Sequence, residues 1–315
     1  MARPLSIDDP ETLVAVASLY YEHDASQKEI AERLGVSRPT VSRLLERARE
    51  TGIVRIEIVP PNVDPGLPAR LRERLGLHAV HVAAGRADEA DPGPVLAEAL
   101  GRALDEARLV PGDVVVVSWG RAVHSVSRRL RRSHPGVLVA PGMGGNSGDQ
   151  PWFQPNEIVR ILANSIEAHP RYFHAPALAS RALHETLMAE GQLDPLIAMW
   201  ERAKVSLVGV GAWPKPDPSY AAAGFPVDDP ALDQAVGDFA GWSFTLDGTL
   251  VPYRDGRRLI GMSPEQLAEV PYSVCLAGSV SKALPAVGAA RARLYNVLVT
   301  DAPTARAIEA ALDAE

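Results

Sequence analysis

The sequence predicts an α/β protein in two parts: an N-terminal winged helix-turn-helix, then a larger Rossmann-like α/β domain with a mostly parallel sheet. Three observations carry the prediction. Residues 26–45 read as two short capped helices joined by a glycine turn. Residues 60–66 place Pro60, Pro61, Pro65 and Gly66 in one short stretch, which continues neither a helix nor a central strand. Beyond it, short β-branched runs alternate with stretches of helical spacing, the pattern of a parallel sheet covered on both faces. The expected organisation is therefore a DNA-binding unit over 1–59, a linker over 60–66 and an α/β domain over 67–315.

The helix pair is SQKEIAERLGVSRPTVSRLL at 26–45. Ser26 is a natural N-cap, and Glu29 stands three residues on as its capping-box partner. Ile30, Ala31 and Leu34 supply the apolar face of the first helix. Gly35 allows the left-handed turn. Ser37 caps the second helix, and Pro39 lies in its first turn, where proline is tolerated. Val41, Leu44 and Leu45 form its inner face. This geometry presents a second helix to the major groove of DNA. The candidate DNA-facing residues are Gln27, Ser37, Arg38, Pro39, Thr40, Ser42, Arg43 and Arg47, mostly hydroxyl and guanidinium groups that reach phosphates and base edges. Residues 51–58 alternate apolar and polar side chains and read as a strand, a wing that brings Arg55 near a phosphate.

In the second part, strands are expected at 114–117, 137–139, 205–210, 273–276 and 297–300. Helices are expected at 95–109, 122–131, 157–167, 180–190, 283–292 and 302–312. Gly120, Gly142, Gly144, Gly145, Gly209, Gly211 and Gly278 fall just after strands, where open parallel sheets bind ligands. The proline-rich stretches 214–218 and 226–230 read as a surface excursion.

Bulk properties restrict the function. The 315 residues are 46% hydrophobic and 23% charged, as in an ordinary soluble protein. The net charge of −7 excludes DNA binding by overall charge. Contact must come from a local basic face. Arg33, Arg38, Arg43, Arg47, Arg49 and Arg55 supply one, opposed only by Glu46 and Glu50. A single cysteine, Cys275, excludes an intramolecular disulfide. The sequence shows neither a signal-peptide pattern nor an apolar stretch of membrane-spanning length, so a cytoplasmic location without membrane contact is expected. The histidines lack metal-type spacing, so neither a metal nor a cofactor is expected.

The run YYEHDASQKEIAERLGVSRPTVSRLLERARETGIVRIEI resembles the N-terminal domain of the SorC family of sugar-responsive transcriptional regulators. The core SRPTVSR at 37–43 is its most specific part. VVVVSWGRAV at 114–123, VGVG at 208–211, VGDFAGWSFTLDG at 236–248, LAGSVSKALPAVGAA at 276–290 and NVLVTDAPTA at 296–305 match later family segments in order. The resemblance spans nearly the whole chain. It implies an effector domain similar to sugar-phosphate isomerases and deaminases, a homo-oligomer (dimer or tetramer), and operator affinity set by a sugar, polyol or sugar phosphate.

It also places effector-binding candidates. The turn at Ser118, Trp119, Gly120, Arg121 and Ala122 corresponds to a family turn that commonly ends in threonine. Here Ala122 removes that hydroxyl, leaving backbone amides and the Arg121 fork for an anion. Lys282 matches a lysine of the family segment and suits a phosphate or hydroxyl. Asp238 suits sugar hydroxyls. Gly142, Met143, Gly144, Gly145, Gly211, Asn146, Asn156 and Glu157 complete the set. The alternative is a sugar-phosphate isomerase or deaminase that carries a DNA-binding domain, with Asp238 or Glu157 as general base.

Overall fold

The computed structural model describes residues 9–54, 64–146, 149–214, 219–222, 224–253 and 257–314. The chain forms two compact units, residues 1–60 and 61–315.

The first unit is a three-helix cluster: α1 Pro10–Tyr21, α2 Gln27–Leu34 and α3 Arg38–Glu50. Ser26 closes the expected capping box. Its Oγ accepts from the Glu29 amide at 3.3 Å, and its own amide donates to Glu29 Oε2 at 2.8 Å. Gly35 ends α2 at φ +66°, and Ser37 caps α3 with its Oγ accepting from the Thr40 amide at 3.3 Å. Leu13 and Val16 of α1, Ile30 of α2, and Val41, Leu44 and Leu45 of α3 bury one shared core. The strand expected from residue 51 does not begin there. Thr51 is the C-cap of α3, Gly52 turns at φ +74°, and the Val54 amide returns to the Ala48 carbonyl at 2.9 Å. These bonds satisfy the open carbonyls of a helix end, so the local turn prevails over the alternating pattern. The rest of the expected wing, Arg55 included, lies outside the described residues, as do 60–63 of the expected linker and 215–218 of the expected excursion.

In the second unit the order is α4 Leu67–Leu75, β1 Ala79–Ala83, α5 Gly93–Ala107, β2 Val114–Val117, α6 Arg121–Arg129, β3 Leu138–Pro141, α7 Pro155–Ser165 and β4 His169–Pro170. Then come β5 Leu178–Ala179, α8 Arg181–Ala189, α9 Asp194–Trp200, β6 Ala203–Ala212, α10 Ser219–Ala222, β7 Gly237–Phe239, β8 Trp242–Phe244, β9 Leu250–Val251 and β10 Arg258–Leu259. The chain ends with α11 Pro264–Glu269, β11 Tyr272–Ala277, α12 Ala283–Arg291, β12 Val297–Asp301 and α13 Ala302–Asp313.

The parallel strands stand in the order β1-β12-β11-β6-β2-β3-β4. Along β2, Val115 and Val117 enter one core with α5, α6 and α7, while Val114 and Val116 enter the other with α4, α9, α12 and α13. Both faces are thus covered, and period-2 alternation makes the strand apolar throughout. Cys275 of β11 is wholly buried. Strands β2 and β6 are neighbours, yet the chain leaves β2 toward β3 and returns to β6 on the other side. This reversal is a topological switch point, which opens a crevice at the strands' carboxyl ends. β6 runs on past its parallel partners and pairs antiparallel with β7, which continues into β8 and β9. Among the described residues, no helix is long and apolar enough to cross a membrane.

Candidate functional site

The helix-turn-helix presents its predicted residues unevenly. Ser37, Arg38, Pro39, Ser42, Arg43 and Arg47 are exposed, while Gln27 and Thr40 are half-buried. The hydroxyls of Ser37 and Thr40 lie 2.8 Å apart at the start of α3, and Arg47 pairs with Glu50 at 3.1 Å. Arg38, Ser42 and Arg43 are exposed polar groups of α3.

In the second unit a cavity opens at the switch point. Its floor is Gly120 after β2, Gly209–Gly211 of β6, and Leu276 and Gly278 at the end of β11. Among the described residues four charged side chains line it: Arg121, Lys282, Asp238 and Glu89. Arg121 opens α6, whose N-terminus has no side-chain cap; the Gly120 amide donates to the Trp152 carbonyl at 2.8 Å. Gly120 itself has φ +140°, a conformation open to glycine, which turns the chain from β2 into the helix. Asp238 is placed by register, opposite Gly211 across the β6–β7 ladder. The tight β7–β8 turn adds Ala240 and Gly241 to the wall, both at positive φ. Lys282 ends a 3₁₀ turn, Val280–Lys282, and lies 3.5 Å from Glu89.

Of the fifteen effector candidates, seven line this cavity: Trp119, Gly120, Arg121, Ala122, Gly211, Asp238 and Lys282. Trp119 is also a packing residue, with ring centroids 4.9 Å from Phe225, 5.0 Å from Phe153 and 5.7 Å from Tyr220. Its indole Nε1 is buried without a hydrogen-bond partner among the described residues.

The other eight do not line it. Ser118 is buried and donates from Oγ to the Trp119 carbonyl at 3.0 Å. Gly144 and Gly145 serve close backbone approach: a Cβ on Gly144 would stand 2.4 Å from the Pro176 carbonyl oxygen, and the Gly145 amide donates to the Ala175 carbonyl at 2.9 Å. Asn156 grips the backbone of Phe173 from both sides, Nδ2 donating to its carbonyl at 2.8 Å and Oδ1 accepting from its amide at 3.1 Å. Glu157 forms a two-bond pair with Arg160 at 2.7 and 2.9 Å, and that guanidinium holds its carboxyl below its ordinary range. Gly142 and Met143 also lie outside the lining, and the Asn146 carbonyl accepts from Gln154 Nε2 at 2.8 Å.

Glu89 is the charged lining residue that sequence reasoning missed. It stands in an acidic loop, ADEAD at 87–91, which reads as a solvated turn. Only the β1–β12–β11 adjacency brings that loop beside Lys282.

Residues 63–309 match a sugar-binding domain family, and residues 15–51 match region 4 of the sigma-70 factors. The chain is 30% identical over 306 residues to the deoxyribonucleoside regulator of Bacillus subtilis (strain 168), covering 94% of this chain and 96% of that protein. It is 31% identical over 308 residues to the sorbitol operon regulator of Klebsiella pneumoniae, covering 95% and 97% respectively. The crystal structure of the full-length sorbitol operon regulator SorC from Klebsiella pneumoniae matches with a TM-score of 0.68 at 30% identity, covering 97% of this chain and 99% of that one. The chain belongs to the SorC family of sugar-binding, DNA-binding transcriptional regulators.

Proposed function

We propose that this regulator changes its affinity for double-stranded operator DNA when a sugar or polyol bearing an acidic group, first of all a phosphate, enters the switch-point cavity. The observation that carries the reading is the convergence of Arg121, Lys282 and the uncapped start of α6 around one cavity that also holds Asp238. Cations and helix amides suit an anion, and a carboxylate suits sugar hydroxyls. Arg121 takes over in part the role of the threonine hydroxyl that Ala122 lacks. Trp119 adds an apolar wall and an indole donor.

The chain acts as a regulator without turnover. Of the two carboxylates named from the sequence as a base, Glu157 lies outside the cavity lining and is bound to Arg160. Turnover of ribose 5-phosphate or glucosamine 6-phosphate by the purified protein would support the enzyme reading instead. The regulator works as a homo-oligomer in the cytoplasm. Paired recognition helices read successive major grooves about 34 Å apart, and effector binding shifts the population of subunit arrangements that meet this spacing.

The test is a thermal-shift screen against sugars, polyols and their phosphates, with inorganic phosphate as control, followed by operator binding with each hit. A ligand that binds only the folded state raises its apparent stability. Stabilisation by phosphorylated compounds, with changed operator affinity, is the expected result. Stabilisation by unphosphorylated compounds alone would move the ligand class to neutral polyols.

A further inference from the structure

The cavity already contains an anion of its own. Glu89 stands on the loop between β1 and α5, and its carboxylate meets three donors from one short turn after β11. Oε1 lies 3.5 Å from Lys282 Nζ and accepts from Ser281 Oγ at 3.2 Å. Oε2 accepts from Ser279 Oγ at 3.3 Å.

The backbone on both sides is fixed so that these groups meet. Ser279 has φ +108° and ψ 138°, a region that glycine occupies and serine rarely does. Glycine would relieve that strain but would remove the hydroxyl that reaches Glu89. The Ser279 amide donates to Thr304 Oγ1 at 3.1 Å, and the Ala87 amide, two residues before Glu89, donates to buried Asp301 at 2.7 Å. Cradle and loop are thus both tied to the junction of β12 and α13. Past Ala87 the loop is at the surface, and the Glu89 side chain is 44% exposed. It can leave the turn without opening the core.

A hydroxyl pair and an ammonium group converging on one carboxylate are what a phosphate or carboxylate of a ligand would also use. We propose that Glu89 is a built-in competitor that occupies the anion cradle of Ser279, Ser281 and Lys282 until an effector's acidic group displaces it. The proposal rests on the reading that the cavity takes an acid-bearing ligand. Glu89 then determines specificity. A neutral sugar leaves the Glu89–Lys282 pair in place, whereas a dianionic phosphate offers Lys282 a stronger partner. Displacement also frees the loop that leads into α5, so occupancy is registered in the backbone from 88 to 93.

The test compares wild type, Glu89→Gln, Lys282→Gln and the double variant, all as full-length protein, by calorimetric titration with inorganic phosphate at constant ionic strength. Unchanged melting temperatures confirm that each variant is folded. Removing the competing charge should tighten phosphate binding by about threefold to tenfold, beyond the pair's own modest worth because a like charge also leaves the ligand's side. Lys282→Gln should weaken it, and the double variant should lose the gain. Phosphate affinity unchanged or reduced in Glu89→Gln, while Lys282→Gln still weakens it, overturns the competitor role and leaves the anion site standing. Absence of phosphate binding in both wild type and Glu89→Gln overturns the anion site and the proposal with it. Titration with sorbitol gives a further arm: binding to wild type that Glu89→Gln abolishes would make Glu89 a hydroxyl acceptor and refute displacement.

Discussion

Replacing Asp301 by alanine tests the junction on which the cavity's loops depend. Asp301 is wholly buried at the end of β12. One oxygen accepts from the Thr304 amide at 3.3 Å and caps α13; the other accepts from the Ala87 amide at 2.7 Å. Losing an N-cap costs about 1 kcal/mol. Leaving the buried Ala87 amide without an acceptor costs about 1–3 kcal/mol more. The two bonds use different donors, so the costs add to about 2–4 kcal/mol. In a domain of this size each kcal/mol moves Tm by roughly 2–4 °C, so Asp301→Ala should melt roughly 4–16 °C below wild type. Asp301→Asn keeps one carbonyl acceptor and should recover part of the loss. Scanning calorimetry of the full-length protein reads both. An Asp301→Ala variant within about 2 °C of wild type would refute the reasoning, because the Ala87 and Thr304 amides would then have other acceptors.

Three further outcomes are expected. Gly144→Ala places a Cβ 2.4 Å from the Pro176 carbonyl oxygen, a backbone atom that cannot rotate away, and should destabilise by about 1–3 kcal/mol in chemical denaturation. Arg43→Ala should weaken operator binding by about 1–3 kcal/mol if Arg43 reads a base edge; fluorescence anisotropy with unchanged affinity would remove α3 from the groove. Stability should fall as pH is lowered from 7 toward 5. Burial lowers the pKa of His81, His124 and His134 from 6.5, so the unfolded chain takes up protons first. The contribution is complete above pH 6.5 and is lost as pH drops through the depressed folded values. His81→Gln should flatten part of that slope in melting curves, since His81 is among the most buried of the three.

The local chemistry of this chain was legible before its fold. Ser26, Glu29, Gly35, Ser37 and Pro39 announce two helices because capping acts within three residues. The strands at 114–117 and 297–300 announce themselves because both faces are buried and every position is apolar or β-branched. What stayed hidden depends on contacts far apart in sequence. Asn156 reads as a ligand-facing polar group, yet its partner is the backbone of Phe173, and no periodicity encodes that clamp. The β7–β9 meander is too short for an alternating signal. β1 escaped because Ala79 and His81 dilute its β-branched character. The candidate site was half legible for the same reason. Arg121, Asp238 and Lys282 flank glycine turns, whereas Glu89 is an ordinary loop acid until the sheet order brings it to Lys282.

The burial of Cys275 has an experimental consequence. It is the chain's one cysteine, enclosed in the core behind β11, and burial pushes its thiol pKa well up, so the native surface offers no reactive thiolate. The folded protein is therefore silent to maleimides and nitroxide thiol reagents. A pair of engineered cysteines can be labelled without first removing a native one. With labels at Asp88 and Leu284, both exposed, spin–spin distances would report directly on whether the Glu89 loop swings away from the turn when phosphate arrives.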